Sequence, residues 1–245
     1  MTLKKIIMSA VLACACVAAM AQTAAEFMSL GNRAYEKADF ARAKRFYADA
    51  MSAGGNSAEL YFNAANACAK LGDKGEAVLF YKRAQMRNPR LREAEANLKL
   101  FAKDNGIQIP EKSAAEAYLL DLSLFEWTVA GFAAFWVAVV LAFLPVMFGK
   151  SNAACVFAAI VLFAVSGVSG YGIWKWVKAI NTAVSLKDDV ALRLSPTPNA
   201  PVCATAQEGQ SGEILGERDG YIYVSTPSGK RGWADRTQFA PLADF

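Results

Sequence analysis

Residues 72–89 read GDKGEAVLFYKRAQMRNP, and 34 residues upstream, over 38–55, the chain reads ADFARAKRFYADAMSAGG. The same shift carries Phe27 onto Tyr61, Gly31 onto Ala65, Phe40 onto Lys74, Ala43 onto Ala77, Tyr47 onto Tyr81 and Ala50 onto Ala84. Most of these positions are small or aromatic in both copies. That is what two closely approaching helices need, with rings filling the gaps between them. Each unit predicts two helices, joined at Ala38-Asp39 in the first copy and at Gly72-Asp73 in the second, with Pro89 closing the last. A helical hairpin of this size has an apolar face that it cannot bury alone, so the copy answers a physical need. The units span about 24–57 and 58–90. Residues 91–104 then predict a capping helix, with Leu91, Ala94, Leu98 and Phe101/Ala102 on one side and charge elsewhere. Asn105-Gly106 and Pro110 end it.

The chain has 245 residues, 55% of them hydrophobic, and a formal charge of +4 that divides by region. Residues 22–110 hold 14 basic and 10 acidic groups, whereas 185–245 hold 6 and 8. No basic tract with interleaved aromatics occurs, which argues against nucleic acid as a partner. Histidine is absent, which removes the usual general base, metal ligand and nucleophile partner. Cys14, Cys16, Cys68, Cys155 and Cys203 form no CxxC pair, so neither a zinc site nor a disulfide framework is expected. No cofactor or metal is expected. An envelope enzyme would have to rest on Cys203, which has no histidine to activate it, so the expectation is a non-catalytic protein.

Residues 1–21 carry Lys4 and Lys5, an apolar run from Ile6, and Ala19-Met20-Ala21 before Gln22, the layout of a cleaved secretory signal peptide. Lipidation at Cys14 after Val11-Leu12-Ala13, or retention as an anchor, are the alternatives. Residues 127–148 and 153–174 are two 22-residue runs without a charge. Each is long enough to cross a hydrocarbon core of about 30 Å. A tight turn with Lys150 separates them, and Trp127, Trp174 and Trp176 sit at the opposite ends, where indoles favour the interface. Residues 111–126, opened by the capping-box pattern Ser113-x-x-Glu116, predict a juxtamembrane helix leading into the first span. By parity, translocation of residue 22 onward puts both flanking regions on the periplasmic side of a bacterial inner membrane.

The 34-residue period with these small and aromatic positions resembles the tetratricopeptide repeat, although Lys74, Gly55 and Ala65 replace a usual aromatic, proline and glycine. That resemblance implies a concave groove lined by the first helix of each unit and by the cap. Met28, Ser29, Asn32, Tyr35, Phe62, Asn63, Asn66 and Asn97 would face it. Asn32/Asn66 and Asn63/Asn97 are themselves 34 apart, and amides that donate and accept suit an extended peptide backbone. The lysines of a carboxylate clamp are missing, with Met28 and Glu93 in two of their places. Lys82, Arg83, Arg87, Arg90, Arg92, Lys99 and Lys103 outnumber Glu93 and Glu95. They form a solvated face or one that meets anionic headgroups or an acidic domain.

Beyond a linker at 175–188 the pattern turns to short alternating runs around Asp219-Gly220 and Ser228-Gly229, predicting a five-to-six-stranded barrel over 189–245. Leu192-Arg193-x-x-Pro196, Gly220-Tyr221-Ile222-Tyr223-Val224 and Gly229-x-x-Gly232-Trp233 resemble a bacterial SH3 domain, with Tyr221 where tryptophan is usual. Such domains often bind cell-wall peptides, which makes Tyr223 and Trp233 the candidate surface.

The expected fold class is therefore a multidomain membrane protein, with all-α tetratricopeptide-type repeats, a two-helix transmembrane hairpin and a small all-β SH3-like barrel. This order resembles the E-type proteins of the Bacteroides aerotolerance (Bat) operon, over nearly the full mature chain. The resemblance implies an interaction scaffold in an envelope complex serving stress or oxygen tolerance. Its partners would be Bat membrane proteins with von Willebrand A-type domains and a MoxR-type ATPase. A peptidoglycan-binding sensor or tether is the alternative.

Overall fold

The computed structural model of the chain describes residues 23–111, 113–148 and 153–243. The expected signal peptide with Cys14 and Cys16, and the turn containing Lys150, lie outside the described residues. The described residues form two compact units, one drawn from Met1–Ile109 and Ala183–Phe245, the other from Pro110–Thr182.

The first unit opens with α1 (residues 23–36), α2 (Phe40–Ser52), α3 (Ala58–Leu71), α4 (Lys74–Arg87) and α5 (Arg92–Asp104). The α1–α2 and α3–α4 pairs are the hairpins of the two 34-residue copies. Asp39 starts α2 by accepting from the Arg42 amide at 3.1 Å, and Ser57 starts α3 through the Leu60 amide at 3.1 Å. Both inter-helix turns need a left-handed residue at the same position of the copy. Gly72 supplies it at φ 81°, but Ala38 must adopt φ 57°. A Cβ in this region is unfavourable by about 1–2 kcal/mol. Ala38→Gly is therefore expected to raise stability by about 0.5–1 kcal/mol, once the added freedom of the unfolded chain is counted. A lower urea midpoint for that variant would contradict this.

Ala34, Ala43, Tyr47, Ala50, Leu60, Ala64 and Ala67 form the core of the first layer. A second core runs through Tyr61, Ala65, Cys68, Ala77, Val78, Tyr81, Ala84, Ala94 and Leu98, so α5 covers the last hairpin. Val184 and Leu242, from the far end of the chain, belong to that same core.

Val184 lies in, and Leu242 directly follows, a seven-stranded antiparallel sheet: β1 (Thr182–Ser185), β2 (Val190–Arg193), β3 (Val202–Ala206), β4 (Ser211–Arg218), β5 (Tyr221–Ser225), β6 (Arg231–Asp235) and β7 (Phe239–Pro241). Its order is β3-β2-β6-β5-β4-β1-β7. Asp219-Gly220 makes the β4–β5 turn with both φ positive, 51° and 80°, as a two-residue hairpin requires. Val190, Leu192, Ala206, Ile222, Val224, Ala234 and Phe239 fill the sheet's own core. The stretch read as a linker at 175–188 is different in the structure. A helix, Ala153–Ile180, occupies its first residues, and β1 begins at Thr182, pairing Ala183, Val184 and Ser185 with Pro241, Ala240 and Phe239 of β7. Four residues without polar alternation, Thr-Ala-Val-Ser, give no strand signal by themselves.

The sheet sits on α4. Gly75 is what allows it, because a Cβ there would lie 2.7 Å from Ser185 O and 2.8 Å from Leu186 Cα. Beside it the Gly75 amide donates to Glu208 Oε1 at 2.9 Å, so a carboxylate from the β3–β4 turn caps α4. Lys82 Nζ donates to Ser211 Oγ at 2.5 Å and an Arg83 Nη to Pro241 O at 2.9 Å. Two of the cations read as a solvated or partner-facing row thus hold the chain's own sheet.

The second unit contains α6 (Ala114–Asp121), α7 (Leu124–Phe148) and α8 (Ala153–Ile180). The Ser113/Glu116 capping box forms. The helix does not continue into the apolar run as expected: Leu122 is extended, and α7 starts afresh at Leu124. Its start is a second box, with Ser123 N donating to Glu126 Oε2 at 2.8 Å and Glu126 N to Ser123 Oγ at 3.2 Å. The Ser-x-x-Glu pattern at 123–126 signals this break in the sequence. Trp127 and Trp176 are buried, and their indole N–H groups donate to Leu119 O and Leu122 O, both at 2.7 Å. They close the C-terminal end of α6, so of the three tryptophans read as interface anchors only Trp174 is exposed.

Helices α7 and α8 are long and apolar enough to cross a membrane. They touch through small residues: a Cβ on Gly131 would lie 2.8 Å from Ser169 Cβ, and Ser166 Oγ donates to Gly131 O at 3.2 Å. Their outer faces show Phe132, Val140, Phe143, Phe157 and Ile160.

Candidate functional site

Two hydrogen-bonded triads stand on the first helices of the layers. Asn32 Oδ1 accepts from the Tyr47 hydroxyl at 2.9 Å and from Asn63 Nδ2 at 3.1 Å. One period on, Asn66 Oδ1 accepts from the Tyr81 hydroxyl at 2.7 Å and from Asn97 Nδ2 at 3.1 Å. Each triad ties the two helices of a hairpin to the first helix of the next layer. The asparagines expected to meet a ligand therefore also hold the stack in register. Asn63 keeps its carbonyl and Asn32 its amino group without a partner among the described residues.

A cleft of about 210 Å³ opens at the first triad, lined by Asn32, Tyr35, Glu36, Tyr47, Asn63 and Asn66. It brings together four of the expected groove residues and adds Glu36 and Tyr47. The first could have been found as the charged neighbour of Tyr35. The second was read only as packing. Met28 packs against the first-layer core and Phe62 against the second, where its ring lies 6.2 Å from that of Tyr81. Asn97 lies in the second triad, outside the lining of this cleft.

Burial pushes the Tyr47 hydroxyl up to about 12, with Tyr35 and Glu36 adding to the effect. Burial does the same for Tyr81, also to about 12, against the opposing hydrogen bond with Asn97. Both remain neutral donors near neutrality.

Where α3 meets the head of α4, Cys68, Asp73 and Glu76 converge, three potential metal ligands. The protein supplies its own cation there: Lys44 Nζ lies 2.7 Å from Asp73 Oδ2 and 2.6 Å from Glu76 Oε2. This bridge from α2 to the head of α4 explains why Asp73, unlike Asp39, makes no cap of its own. Burial lowers the Lys44 pKa, but hydrogen bonds to Asp73 and Glu76 more than reverse that, and the net direction is up. Burial, followed by the Glu76 charge, raises the Cys68 thiol.

All four groups bind their protons more tightly folded than unfolded. Their contribution is complete below the unfolded values, near 8.5 for cysteine and 10 for tyrosine and lysine, and is lost as pH rises through the folded ones. Thermal midpoints of the first unit should fall between pH 9 and 12. The fall should be shallower in Tyr47→Phe and Tyr81→Phe, and an unchanged slope in both variants would contradict the burial argument.

On the sheet, Tyr223 and Trp233 pair across β5–β6, with ring centroids 5.2 Å apart and both side chains half-buried. Cys203 Sγ donates to Leu192 O at 3.2 Å or to Arg231 O at 3.3 Å. No protein-family model matches the chain, and comparison with curated proteins gives no match.

Proposed function

We propose that the chain is a membrane-anchored, non-catalytic scaffold whose helical hairpins are tetratricopeptide-type repeats presenting a peptide groove. The cleft at the Asn32 triad carries this reading, because polar groups remain open there on an otherwise rigid, hydrogen-bonded stack. The seven-stranded sheet is read as an SH3-like domain, and α7 and α8 as a transmembrane hairpin. One core joins residues before and after that hairpin, which supports an even number of crossings and favours both segments on one side, taken as periplasmic from the signal-peptide reading. By resemblance to the E-type Bat proteins, the partners would be Bat-type proteins with von Willebrand A domains and a MoxR-type ATPase, in envelope stress. A photo-crosslinker at exposed Ser29 should capture such a membrane protein, whereas one at Asp49 on α2 should not. Equal capture at both positions, or none, would count against the groove.

The exposed part of the Tyr223–Trp233 pair supports a second reading, a cell-wall tether. Retention of the full chain on purified peptidoglycan, lost in Trp233→Ala, would favour it over the scaffold.

A further inference from the structure

The two 34-residue copies agree at their packing positions and differ at the mouth of the cleft. The first carries Tyr35-Glu36, and the corresponding pair in the second is Ala69-Lys70. The carboxylate and the Tyr35 ring at the mouth are therefore written into one copy only. Glu36 is the one charged side chain lining the cleft, and its carboxylate is exposed with no protein partner among the described residues. Tyr35 is held edge-on against Phe40, centroids 5.1 Å apart at 65°, so its ring is fixed where it borders the cleft. Tyr47, Asn63 and Asn66 complete the wall. A carboxylate beside aromatic rings and amide oxygens attracts an ammonium or guanidinium group and repels a carboxylate. The charge and the ring at the mouth, together with the open amides, are what select the occupant.

We infer that this cleft takes a lysine or arginine side chain of a partner's peptide segment, with Glu36 pairing its charge and Tyr35 lying along its stem. The assignment rests on the groove reading above and names what that groove selects. The absence of lysines for a carboxylate clamp fits the same sign of charge. Lys70, at the equivalent place in the second copy, would favour an acidic residue further along the bound segment.

A random heptapeptide library displayed on phage, panned against the purified full chain in detergent, tests this. Enriched peptides should carry Lys or Arg at several times the library frequency. One such peptide should bind Glu36→Gln about threefold to tenfold more weakly. Glu36 is exposed and unpartnered, so this variant should fold normally. Enrichment without a cation excess, or unchanged affinity for Glu36→Gln, overturns the charge assignment and leaves the groove standing. No enriched peptide, or only peptides whose binding survives Asn63→Arg, which fills the cleft, overturns both.

Discussion

Gly75→Ala should destabilise the first unit by about 2–3 kcal/mol, against the usual direction for such a change. In a solvent-exposed helix interior the same substitution gains up to about 1 kcal/mol from helix propensity. Here the new methyl would lie 2.7 Å from Ser185 O and 2.8 Å from Leu186 Cα. Both are main-chain atoms, so no rotamer change relieves the clash. The sheet has to back away from α4. That loosens Val184 and Leu242 in the shared core and stretches the Glu208 cap on the Gly75 amide. Hydrogen exchange should consequently speed up in β1 and around 208–211 while α1 and α2 keep their protection. A Gly75→Ala protein that melts higher than the parent would mean that the sheet does not seat on this helix.

Asn32→Ala has the second large expected effect, about 2–4 kcal/mol. It removes one acceptor from two donors at once, the Tyr47 hydroxyl and the Asn63 amide. Tyr47 is only 1% exposed, so its abandoned hydroxyl has little access to water. Each stranded donor costs about 1–3 kcal/mol, with the cleft relieving part of the Asn63 share. Tyr47→Phe alone removes a single bond and should cost about 1 kcal/mol. Because the two residues share that bond, the double variant should cost clearly less than the sum of the singles. Strict additivity in urea unfolding would show that the triad does not act as one network.

The hairpins were legible because their signal repeats: small residues and aromatics recurring at a 34-residue shift mark two packed helices wherever they fall. The Asn32/Asn66 and Asn63/Asn97 pairs were legible for the same reason, as were the turns at Asp219-Gly220 and Gly72-Asp73. Their internal hydrogen bonds were not, since a sequence shows that an amide sits on a face but not which atoms of another helix reach it. Docking of the sheet on α4 was illegible too. Its key is the absence of a side chain at Gly75, and its partners stand more than a hundred positions away at Ser185, Glu208 and Ser211. Strand β1 escaped because four small residues following a long helix carry no period. The second helix start, at Ser123-x-x-Glu126, was present in plain sequence but lay inside a stretch whose apolar content suggested continuity.

The proposed architecture depends on the hairpin array and the sheet sharing one side of the bilayer although two apolar helices separate them in the chain. Single cysteines at exposed Ser29 and Ser228, in an otherwise cysteine-free protein, report this directly through a membrane-impermeant maleimide applied to sealed, right-side-out membranes. Labelling of both positions before detergent is added is the expected result. Labelling of one with protection of the other would contradict a shared unit closed across a membrane hairpin.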